Sequence, residues 1–459
     1  MGRGRHRRPR HAAPATDGPV VDLTIERVAL GTGDAVAHLD DGRVVFVDRG
    51  LPGDRVRARL TQQKKRFARA QRVAHLDDGP DRVAAECAVA DRCGGCRYQS
   101  YAFAAEHRDK RAALAATVRR IDRDVTWPEP ELVPDASPSR WRERAKVHAG
   151  PDGFGFRQRR GDGVVAPKSC PVLDARVDAA RRVAGRAFAD LGDVSLLLEL
   201  DRVRDAVACT VRVPDDRFEA TTEALGAQLA DDDPLAPIGT VRVASRRRSA
   251  VVRGDGVVVR ERPMGPRSVA VNEPTGGFSQ ANGRMNAVLQ ALVVDATTAG
   301  DPGAAPRVLE LFAGGGNLSF PLLGAGCAVD AVEGASGAID AARDAWRWAG
   351  GGDAARFFVA DLAHGLPVEV EVSLPTYDAI VVDPPRGGLA EPLIAPLCAS
   401  AASRIVYVSC DPPALARDAA RLAAAGGFAV ARWWALDLFP RSAHIEAVAV
   451  LERDRRADR

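Results

Sequence analysis

Residues 404–418 have the sequence RIVYVSCDPPALARD, and the fold prediction starts from this stretch. Its first half, from Ile405 to Val408, is apolar and β-branched, and a turn-forming Asp-Pro-Pro follows. That pattern predicts a buried strand of a parallel sheet. Cys410 falls where this strand ends, and open α/β sheets bind their ligands at that edge. A lone cysteine there is more often a small core residue than a nucleophile, so its role depends on the rest of the chain.

The region from residue 271 to the C-terminus alternates strand-like and helical segments. This alternation predicts an α/β fold, a doubly wound, Rossmann-like sheet with helices on both faces. The predicted strands are 307–312, 328–333, 356–359, 378–382, 405–409 and 448–451.

Three features of the first three strands point to a nucleotide-like cofactor. The first strand runs into the loop Phe312-Ala-Gly-Gly-Gly-Asn317, whose glycines let a cofactor approach the backbone. Glu333 ends the second strand, where a carboxylate can hold both hydroxyls of a ribose. Asp361 follows the third strand and suits the adenine edge. This layout resembles class I methyltransferases that use S-adenosylmethionine. A nicotinamide dehydrogenase is the competitor, but it would carry G-x-G-x-x-G in the loop.

The fourth and fifth strands end in residues that indicate the reaction. Asp383-Pro-Pro-Arg386 follows the fourth strand, and such a loop places a base beside a methyl donor. Amino-group methyltransferases usually end it with an aromatic residue, so Arg386 argues against an exocyclic nitrogen target. A thiol at Cys410 suits C5 of a pyrimidine, since a thiolate that adds to C6 makes C5 nucleophilic. Glu446 is a candidate for the base that removes the C5 proton; the alternative is a capping or surface carboxylate.

The N-terminal region predicts an RNA-binding module. Residues 1–19 form a basic segment expected to be disordered. Residues 20–79 hold five short alternating segments, which predict a small β-barrel. The basic cluster at residues 64–66 precedes Phe67, a combination suited to backbone charge and base stacking, or else a solvated hairpin tip. The pattern GTGDAVAHLDDGRVVFVDRGLPGDRVRARL resembles a TRAM domain. The predicted strands are 23–29, 35–39, 43–47, 55–60 and 69–74.

Four cysteines in the central region, residues 80–270, have the pattern of a metal centre. Cys87, Cys93 and Cys96 have the spacing C-x5-C-x2-C, and Cys170 lies far downstream. Four thiols match a closed [4Fe–4S] cluster or a Cys₄ zinc site. Zinc modules usually carry paired C-x2-C, so the spacing favours the cluster. Around the cysteines we expect a mixed α/β domain, with basic patches at residues 140–146 and 246–248 that make an RNA track plausible.

Length, composition and charge limit the classes of protein to which this chain can belong. A chain of 459 residues, 46% of them hydrophobic, is long enough for two to four packed domains. No apolar run approaches the roughly 20 residues of a membrane span. The charged N-terminus is not followed by an apolar segment, so no secretory signal is expected and the protein is expected to be cytoplasmic. The net charge of +3 is modest, but the basic excess lies in the first half.

With these motifs in view, the chain resembles the uracil-5 RNA methyltransferases over nearly its whole length, in particular the branch with a TRAM domain and an iron–sulfur cluster. The resemblance implies that Cys410 is the nucleophile and Glu446 the proton acceptor. The family more often has Asn at Asp411, so a carboxylate there is expected to raise the pKa of the thiol. It further implies a set of residues around the cofactor and base: Gln280, Phe312, Asn317, Glu333, Asp361 and Asp383. The shared motifs are the four cysteines, residues 278–282, 312–317, 383–386, 409–412 and 444–446.

The expected function is transfer of a methyl group from S-adenosylmethionine to C5 of a uridine in RNA through a covalent Cys410 adduct. Large-subunit ribosomal RNA is the favoured substrate by resemblance, with transfer RNA as the alternative. A rival within the enzyme class is an RNA cytosine-5 methyltransferase, although those typically carry Pro-Cys where this chain has Pro384-Pro385. A rival from another class is a non-catalytic RNA-binding or ribosome-assembly factor. The protein is expected to act as a monomer.

Overall fold

The structure is a computed structural model that describes residues 18–229, 235–299 and 306–453. The chain divides into two compact units. The first combines the described part of Met1–Ala85 with Tyr98–Ala113, and the second combines Glu86–Arg97 with the described part of Leu114–Arg459. Most of the predicted basic tail, residues 1–17, lies outside the described residues.

The first unit is built on a six-stranded sheet in the order β1-β5-β6-β4-β3-β2. Five strands were predicted, and the difference arises because the first segment is divided at Ile25 and Glu26. The N–H of Ile25 donates to the carbonyl of Asp54 at 2.9 Å, and the next N–H, of Glu26, donates to Val36 at 2.9 Å. The chain therefore changes its pairing partner at this point. The strands are β1 Val20–Thr24, β2 Arg27–Val28, β3 Ala35–His38, β4 Val44–Val47, β5 Arg55–Gln63 and β6 Phe67–Asp77.

The middle of the chain begins with helix α1, Phe103–Ile121, and continues with a mixed α/β region. Its five-stranded sheet has the order β14-β13-β12-β11-β8, and two hairpins, β9–β10 and β15–β16, accompany it. Short 3₁₀ helices lie at Ala189–Leu191 and Asp215–Arg217. The bounds are β7 Glu131–Val133, β8 Arg144–His148, β9 Phe156–Arg157, β10 Val164–Val165, α2 Ala175–Ala187, β11 Ser195–Asp201, β12 Ala206–Arg212, α3 Phe218–Gln228, β13 Ile238–Ala244, β14 Ser249–Arg253, β15 Val257–Met264 and β16 Arg267–Pro274.

The C-terminal region forms an eight-stranded sheet in the order β19-β18-β17-β20-β21-β23-β22-β7. Strands β17 to β21 are parallel, which confirms the doubly wound prediction, and β23 is antiparallel to both of its neighbours. One 3₁₀ helix lies at Leu374–Thr376. The bounds are α4 Gly283–Thr298, β17 Arg307–Leu311, α5 Ser319–Gly324, β18 Ala328–Glu333, α6 Ser336–Trp348, β19 Ala355–Val359, α7 Val368–Ser373, β20 Ala379–Val382, α8 Glu391–Ala399, β21 Arg404–Ser409, α9 Pro412–Gly426, β22 Phe428–Leu436 and β23 Glu446–Arg453.

Two strands of this sheet were not predicted, β22 and β7. The three-residue strand β7 comes from the region before the central sheet and pairs in parallel with the end of β22. The indole N–H of Trp433 donates to the carbonyl of Pro128 at 2.8 Å, and Arg432 forms an ion pair with Glu131. These contacts join segments about 300 residues apart, so no local pattern in the sequence could indicate them.

Within the described ranges, no helix is both long enough and apolar enough to cross a membrane.

Candidate active site

A cavity of about 1090 Å³ opens at the carboxyl ends of the parallel strands. It brings together five of the six predicted cofactor residues with both predicted catalytic residues. Cys410 and Glu446 line it. The cofactor residues that line it are Gln280, Phe312, Asn317, Glu333 and Asp383.

The glycine loop forms one wall of this cavity. Phe312 has a φ of 65°, a conformation that costs an ordinary L-residue energy, and Gly314 has a φ of 57°. A Cβ placed on Gly314 would meet no atom within 4 Å, so the loop leaves open space there. A Cβ on Gly315 would lie 2.3 Å from a carboxylate oxygen of Glu273. The loop therefore needs glycine at 315 to pass against hairpin β15–β16, and it presents bare backbone to a ligand.

Glu333 is fixed by that same loop. One carboxylate oxygen accepts the N–H of Gly314 at 2.9 Å, and the other accepts the N–H of Ala335 at 2.7 Å. Each oxygen retains a lone pair, so the carboxylate can still receive hydroxyl groups from the cavity side. This arrangement fits the ribose-binding role predicted from the sequence.

Asn317 is held by protein groups on several sides. Its side-chain oxygen accepts from Arg262 at 3.1 Å, from Asn286 at 2.9 Å and from Gln290 at 3.1 Å, and its amide nitrogen donates back to Asn286 at 2.9 Å. Arg262 in turn forms a buried ion pair with Glu273 at 2.5 Å. Arg262 and Glu273 also line the cavity and were not predicted from the sequence. An Arg and a Glu in an alternating hairpin look like solvated side chains, so the sequence carries no signal for them.

Asp361 is the one predicted cofactor residue that the structure does not bring into this cavity. It lies in the loop after β19, and its side chain is 71% exposed. One carboxylate oxygen accepts the N–H of Ala363 at 3.0 Å. Its adenine-binding role stays a prediction.

The sheet places Cys410 and Glu446 side by side. Cys410 directly follows β21 and Glu446 begins β23; these strands are antiparallel neighbours, with Ser409 opposite Ala447. Glu446 is 2% exposed. Both residues therefore occupy one end of one strand pair, and no loop has to move to bring them together.

Burial and neighbouring charges raise the pKa of every acid in this group. The pKa of the Cys410 thiol rises to about 11, chiefly through burial and then through the negative charges of Glu446 and Asp383. Burial raises the pKa of Asp383 to about 7. Burial and the charge of Asp383 together raise the pKa of Glu446 well above its usual range. Perturbed acids clustered in a cavity are typical of catalytic sites.

Arg386 opposes these effects at the thiol. Its side chain hydrogen-bonds Cys410, and its positive charge lowers the pKa of both Cys410 and Glu446. From the sequence, Arg386 argued only against a nitrogen target, and its contact with Cys410 was not predicted. The expected influence of Asp411 is not what the structure shows, because Asp411 turns towards α9 and accepts the N–H of Ala414 at 3.0 Å. The carboxylates that act on the thiol are Glu446 and Asp383.

Replacing Arg386 by glutamine is expected to raise the pKa of Cys410 further. Below that pKa the thiolate fraction falls tenfold for each unit of increase, so alkylation of Cys410 by iodoacetamide at pH 8 should slow by at least several-fold. A series of alkylation rates from pH 7 to 10, with peptide mass spectrometry to identify the site, measures the shift. Arg386→Lys keeps the charge and should restore most of the rate. An unchanged pH profile in Arg386→Gln would contradict the electrostatic role.

The four predicted metal ligands lie in one region of the second unit. Cys93 and Cys170 are buried in the same hydrophobic cluster, and Cys96 packs against it. Cys87 is close enough for its charge to raise the pKa of both Cys93 and Cys170. No three of these sulfur atoms lie within 4.8 Å of one another.

The surroundings of these sulfurs suit thiolates. Burial raises the pKa of Cys93 and Cys170, but backbone N–H groups counteract it. The N–H of Gly95 donates to the sulfur of Cys93 at 3.4 Å. The N–H groups of Val172 and Leu173 act in the same way on Cys170. Hydrogen bonds of this kind stabilise the sulfur ligands of metal clusters.

The order of strands and the contents of the cavity define a class of protein. A parallel sheet that ends in an antiparallel β22–β23 pair, with a glycine loop after its first strand and an acidic residue after its second, is the arrangement of class I methyltransferases that use S-adenosylmethionine.

Comparisons with known proteins narrow the class to a family. The TRAM domain model matches residues 14–73, and the model of the tRNA (uracil-5-)-methyltransferase family matches residues 367–454. A 23S rRNA (uracil(1939)-C(5))-methyltransferase RlmD of Chromohalobacter salexigens is 34% identical over 98% of this chain and 93% of its own. Its counterpart in Alkalilimnicola ehrlichii is 30% identical over 99% of both chains. The chain therefore belongs to the family of RNA uracil-5 methyltransferases and is an enzyme that uses S-adenosylmethionine.

A solved structure shows the same fold. The tRNA (uracil-54, C5)-methyltransferase of Pyrococcus abyssi, in complex with S-adenosyl-L-homocysteine, superimposes with a TM-score of 0.69. The match covers 94% of this chain and 100% of that one, at 22% sequence identity.

Proposed function

We propose that this protein methylates C5 of one uridine in large-subunit ribosomal RNA, the position that corresponds to uracil 1939 of 23S RNA in the named relatives. The observation that carries the reaction is the placement of Cys410 beside Glu446 and Arg386 in the cavity that holds the glycine loop. The similarity to ribosomal RNA enzymes over the whole chain supports the choice of substrate. Such a substrate goes with the cytoplasmic location expected from the sequence.

The residues of the cavity divide into two groups. Glu333, the backbone at Gly314 and the Asn317 side of the loop would hold S-adenosylmethionine, which supplies an electrophilic methyl group when bound. Asp383, Cys410 and Glu446 would receive the uracil ring. Phe278, two residues before Gln280 in the chain, is 77% exposed at the edge of the same cavity. An exposed aromatic ring there offers a surface on which a base can stack.

The chain's own groups account for the covalent steps. The Cys410 thiolate adds to C6, the C5–C6 π bond breaks, and the charge passes to an enolate that makes C5 nucleophilic. Arg386 stabilises the thiolate before addition. C5 then forms its bond to the methyl group, and the donor leaves as the thioether. Glu446 removes the C5 proton, the C6–S bond breaks, and the C5–C6 double bond and the thiolate return. A raised pKa makes Glu446 a stronger base for that removal.

Nucleoside mass spectrometry of RNA from a strain that lacks this protein tests the proposal. Loss of 5-methyluridine from large-subunit ribosomal RNA, with transfer RNA unchanged, is the expected result. Loss of 5-methyluridine from transfer RNA would instead identify transfer RNA as the substrate. Loss of 5-methylcytidine would show that the target base is cytosine. Purified protein that binds RNA but transfers no labelled methyl group would favour the assembly-factor alternative.

We further propose that Cys87, Cys93, Cys96 and Cys170 hold a closed [4Fe–4S] cluster. A tetrahedral Cys₄ zinc site, with Zn–S of about 2.3 Å, keeps its sulfurs about 3.8 Å apart, whereas no three of the sulfurs here lie within 4.8 Å of one another. A cubane separates its ligands more than a single ion does, because four irons lie between them. The backbone N–H donors at Cys93 and Cys170 support thiolate ligands. Such a cluster would join residues 87–96 to the loop at Cys170.

Protein purified without oxygen is expected to contain about four iron and four sulfide per chain. Cys170→Ala should lose most of this iron, because a closed cluster needs its fourth ligand. Cys209→Ala is the matched control, since Cys209 is buried in the same hydrophobic cluster but is not among the four. Stoichiometric zinc without iron in the wild type would contradict the proposal.

A further inference from the structure

A second cavity of about 520 Å³ lies next to the methyl-transfer cavity in the same unit. The two share Arg386, Phe439 and His444 as lining residues. A wall of three side chains therefore separates them, and a ligand in one lies beside a ligand in the other. Neither the covalent chemistry nor the cofactor residues described above use the second cavity.

Positive charge converges on this cavity, and none of its described lining residues is acidic. Several of these cations lack a carboxylate partner: within the described ranges, Arg97, Arg142, Lys146 and Arg157 form no ion pair. Lys146 and Arg157 are exposed rather than buried. Cations that face one another without counter-charges repel, and an anion placed between them removes that repulsion. The six lining cations are Arg97, Arg142, Lys146, Arg157, Arg159 and Arg386.

The proposed cluster does not account for this charge. Only one of the four cysteines, Cys96, lines the cavity. Arg142 and Arg159 lower the pKa of Cys93 and so act partly on the sulfurs. When these two are assigned to the cluster and Arg386 to the Cys410 thiol, Arg97, Lys146 and Arg157 still face the cavity.

Aromatic side chains add a second recognition element. Trp141 and Phe439 line the cavity and meet edge to face, with ring centroids 6.4 Å apart. Trp141 is 4% exposed, and its indole N–H finds no hydrogen-bond acceptor among the described residues. A buried donor without an acceptor is costly, and a ligand that carries acceptor oxygens or ring nitrogens can relieve it. Basic groups beside aromatic rings are typical of sites for single-stranded nucleotides, with phosphates on the cations and bases on the rings.

We propose that this cavity binds a nucleotide of the substrate RNA next to the target uridine, with its phosphate on Lys146 and Arg157 and its base against Phe439. The inference rests on the proposed function, since it takes the neighbouring cavity as the site of the target base. When both cavities are occupied, the RNA strand is held on either side of the wall formed by Arg386, Phe439 and His444. The target uridine is then flipped out of the base stack. The cavity thereby contributes to the choice of uridine as well as to affinity.

A protein–phosphate double-mutant cycle tests this. The full-length wild type, Lys146→Gln, Arg157→Gln and the double variant are compared in equilibrium binding to an RNA hairpin that carries the target uridine. A matched set of hairpins has one neutral methylphosphonate at each position from three nucleotides before the target to three after it. Arg347→Gln is the control, because Arg347 is an exposed cation on α6 that lines neither cavity.

Each lost phosphate contact lowers the slope of log K against log salt by about 0.7, which is about fivefold in affinity at about 0.1 M salt. We expect about fivefold weaker binding for the double variant, because Lys146 and Arg157 hold the same phosphate, and no change for Arg347→Gln. At one position next to the target, the methylphosphonate should weaken the wild type by the same amount but leave the double variant unaffected. Lys146→Arg keeps the charge and should bind as the wild type does.

Equal loss at every phosphate position, or unchanged binding by the double variant, would overturn the proposal. If the double variant bound RNA normally but bound a protein partner more weakly, the RNA-binding proposal would also be overturned. The cavity would then be assigned to that protein partner. Methyl transfer by the wild type is measured on the same hairpins. If no methyl group is transferred, the proposed function fails, while the phosphate cycle, which is read from binding alone, still decides what the cavity holds.

Discussion

Cys410→Ala is expected to reduce methyl transfer by at least about 10⁴-fold, because C5 of uracil is not nucleophilic until a thiolate has added to C6. RNA binding should persist within a few-fold, since Cys410 is one small side chain in a large cavity. RNA with 5-fluorouridine at the target gives a second measurement. Fluorine cannot leave C5 as a proton does, so wild-type protein should form an adduct that survives denaturation, and Cys410→Ala should form none.

The control for this variant is Cys398→Ala. Cys398 is half-buried on α8 and lines neither cavity, so its loss should leave transfer and adduct formation unchanged. Full activity in Cys410→Ala, or an adduct mapped to another cysteine, would exclude the covalent mechanism.

Glu446→Gln is expected to block a later step than Cys410→Ala does, namely removal of the C5 proton after methyl transfer. Glutamine has the same shape but does not accept the C5 proton, so the rate of turnover should fall by about 10² to 10⁴-fold. Because the proton leaves after the methyl group has been transferred, the methylated RNA should stay attached to Cys410. A denaturation-resistant complex should therefore accumulate on ordinary uridine, with the mass of RNA, protein and one methyl group.

Glu446→Gln is not expected to destabilise the folded protein, so a lower rate of turnover would not be caused by unfolding. Burial and the charge of Asp383 raise the pKa of Glu446, so the folded protein holds the ionised form at a cost, and a neutral amide removes that cost. The melting temperature should be unchanged or higher. Glu452→Gln is the control, because Glu452 lies on the same strand, is 45% exposed and pairs with Arg404. Normal turnover in Glu446→Gln would assign proton removal to another group, with Asp383, which lines the same cavity, as the next candidate.

Most of the fold could be predicted because its signals are local. The glycine loop after 307–312, the apolar strands and the Asp-Pro-Pro loops each lie within a dozen residues, and alternation of strands and helices gives the doubly wound sheet. The cysteine spacing and the TRAM pattern are local as well. β7 could not be predicted, because a three-residue segment between prolines and glutamates becomes a strand only through its pairing with β22.

The candidate site was predictable to the extent that its residues follow strands. Cys410, Glu333 and Asp383 each end or follow a parallel strand, so topology alone brings them to one edge. The contact of Arg386 with the thiol, and the support of Asn317 by Arg262, depend on side-chain directions that no linear motif carries. For Asp361 the position alone was misleading. It follows β19, which predicts a cavity residue, but its side chain accepts the N–H of Ala363.

The pairing of β7 with β22 determines when the protein can finish folding. During synthesis, Glu131 is added to the chain about 300 residues before its partner Arg432. The segment from Pro128 to Val133 must therefore wait, unpaired, until almost the whole chain has been made. Contacts over such a sequence separation form late and slowly. Conversely, a fragment that begins at residue 271 would leave the outer edge of β22 bare, with Trp433 deprived of its acceptor, and such edges invite aggregation.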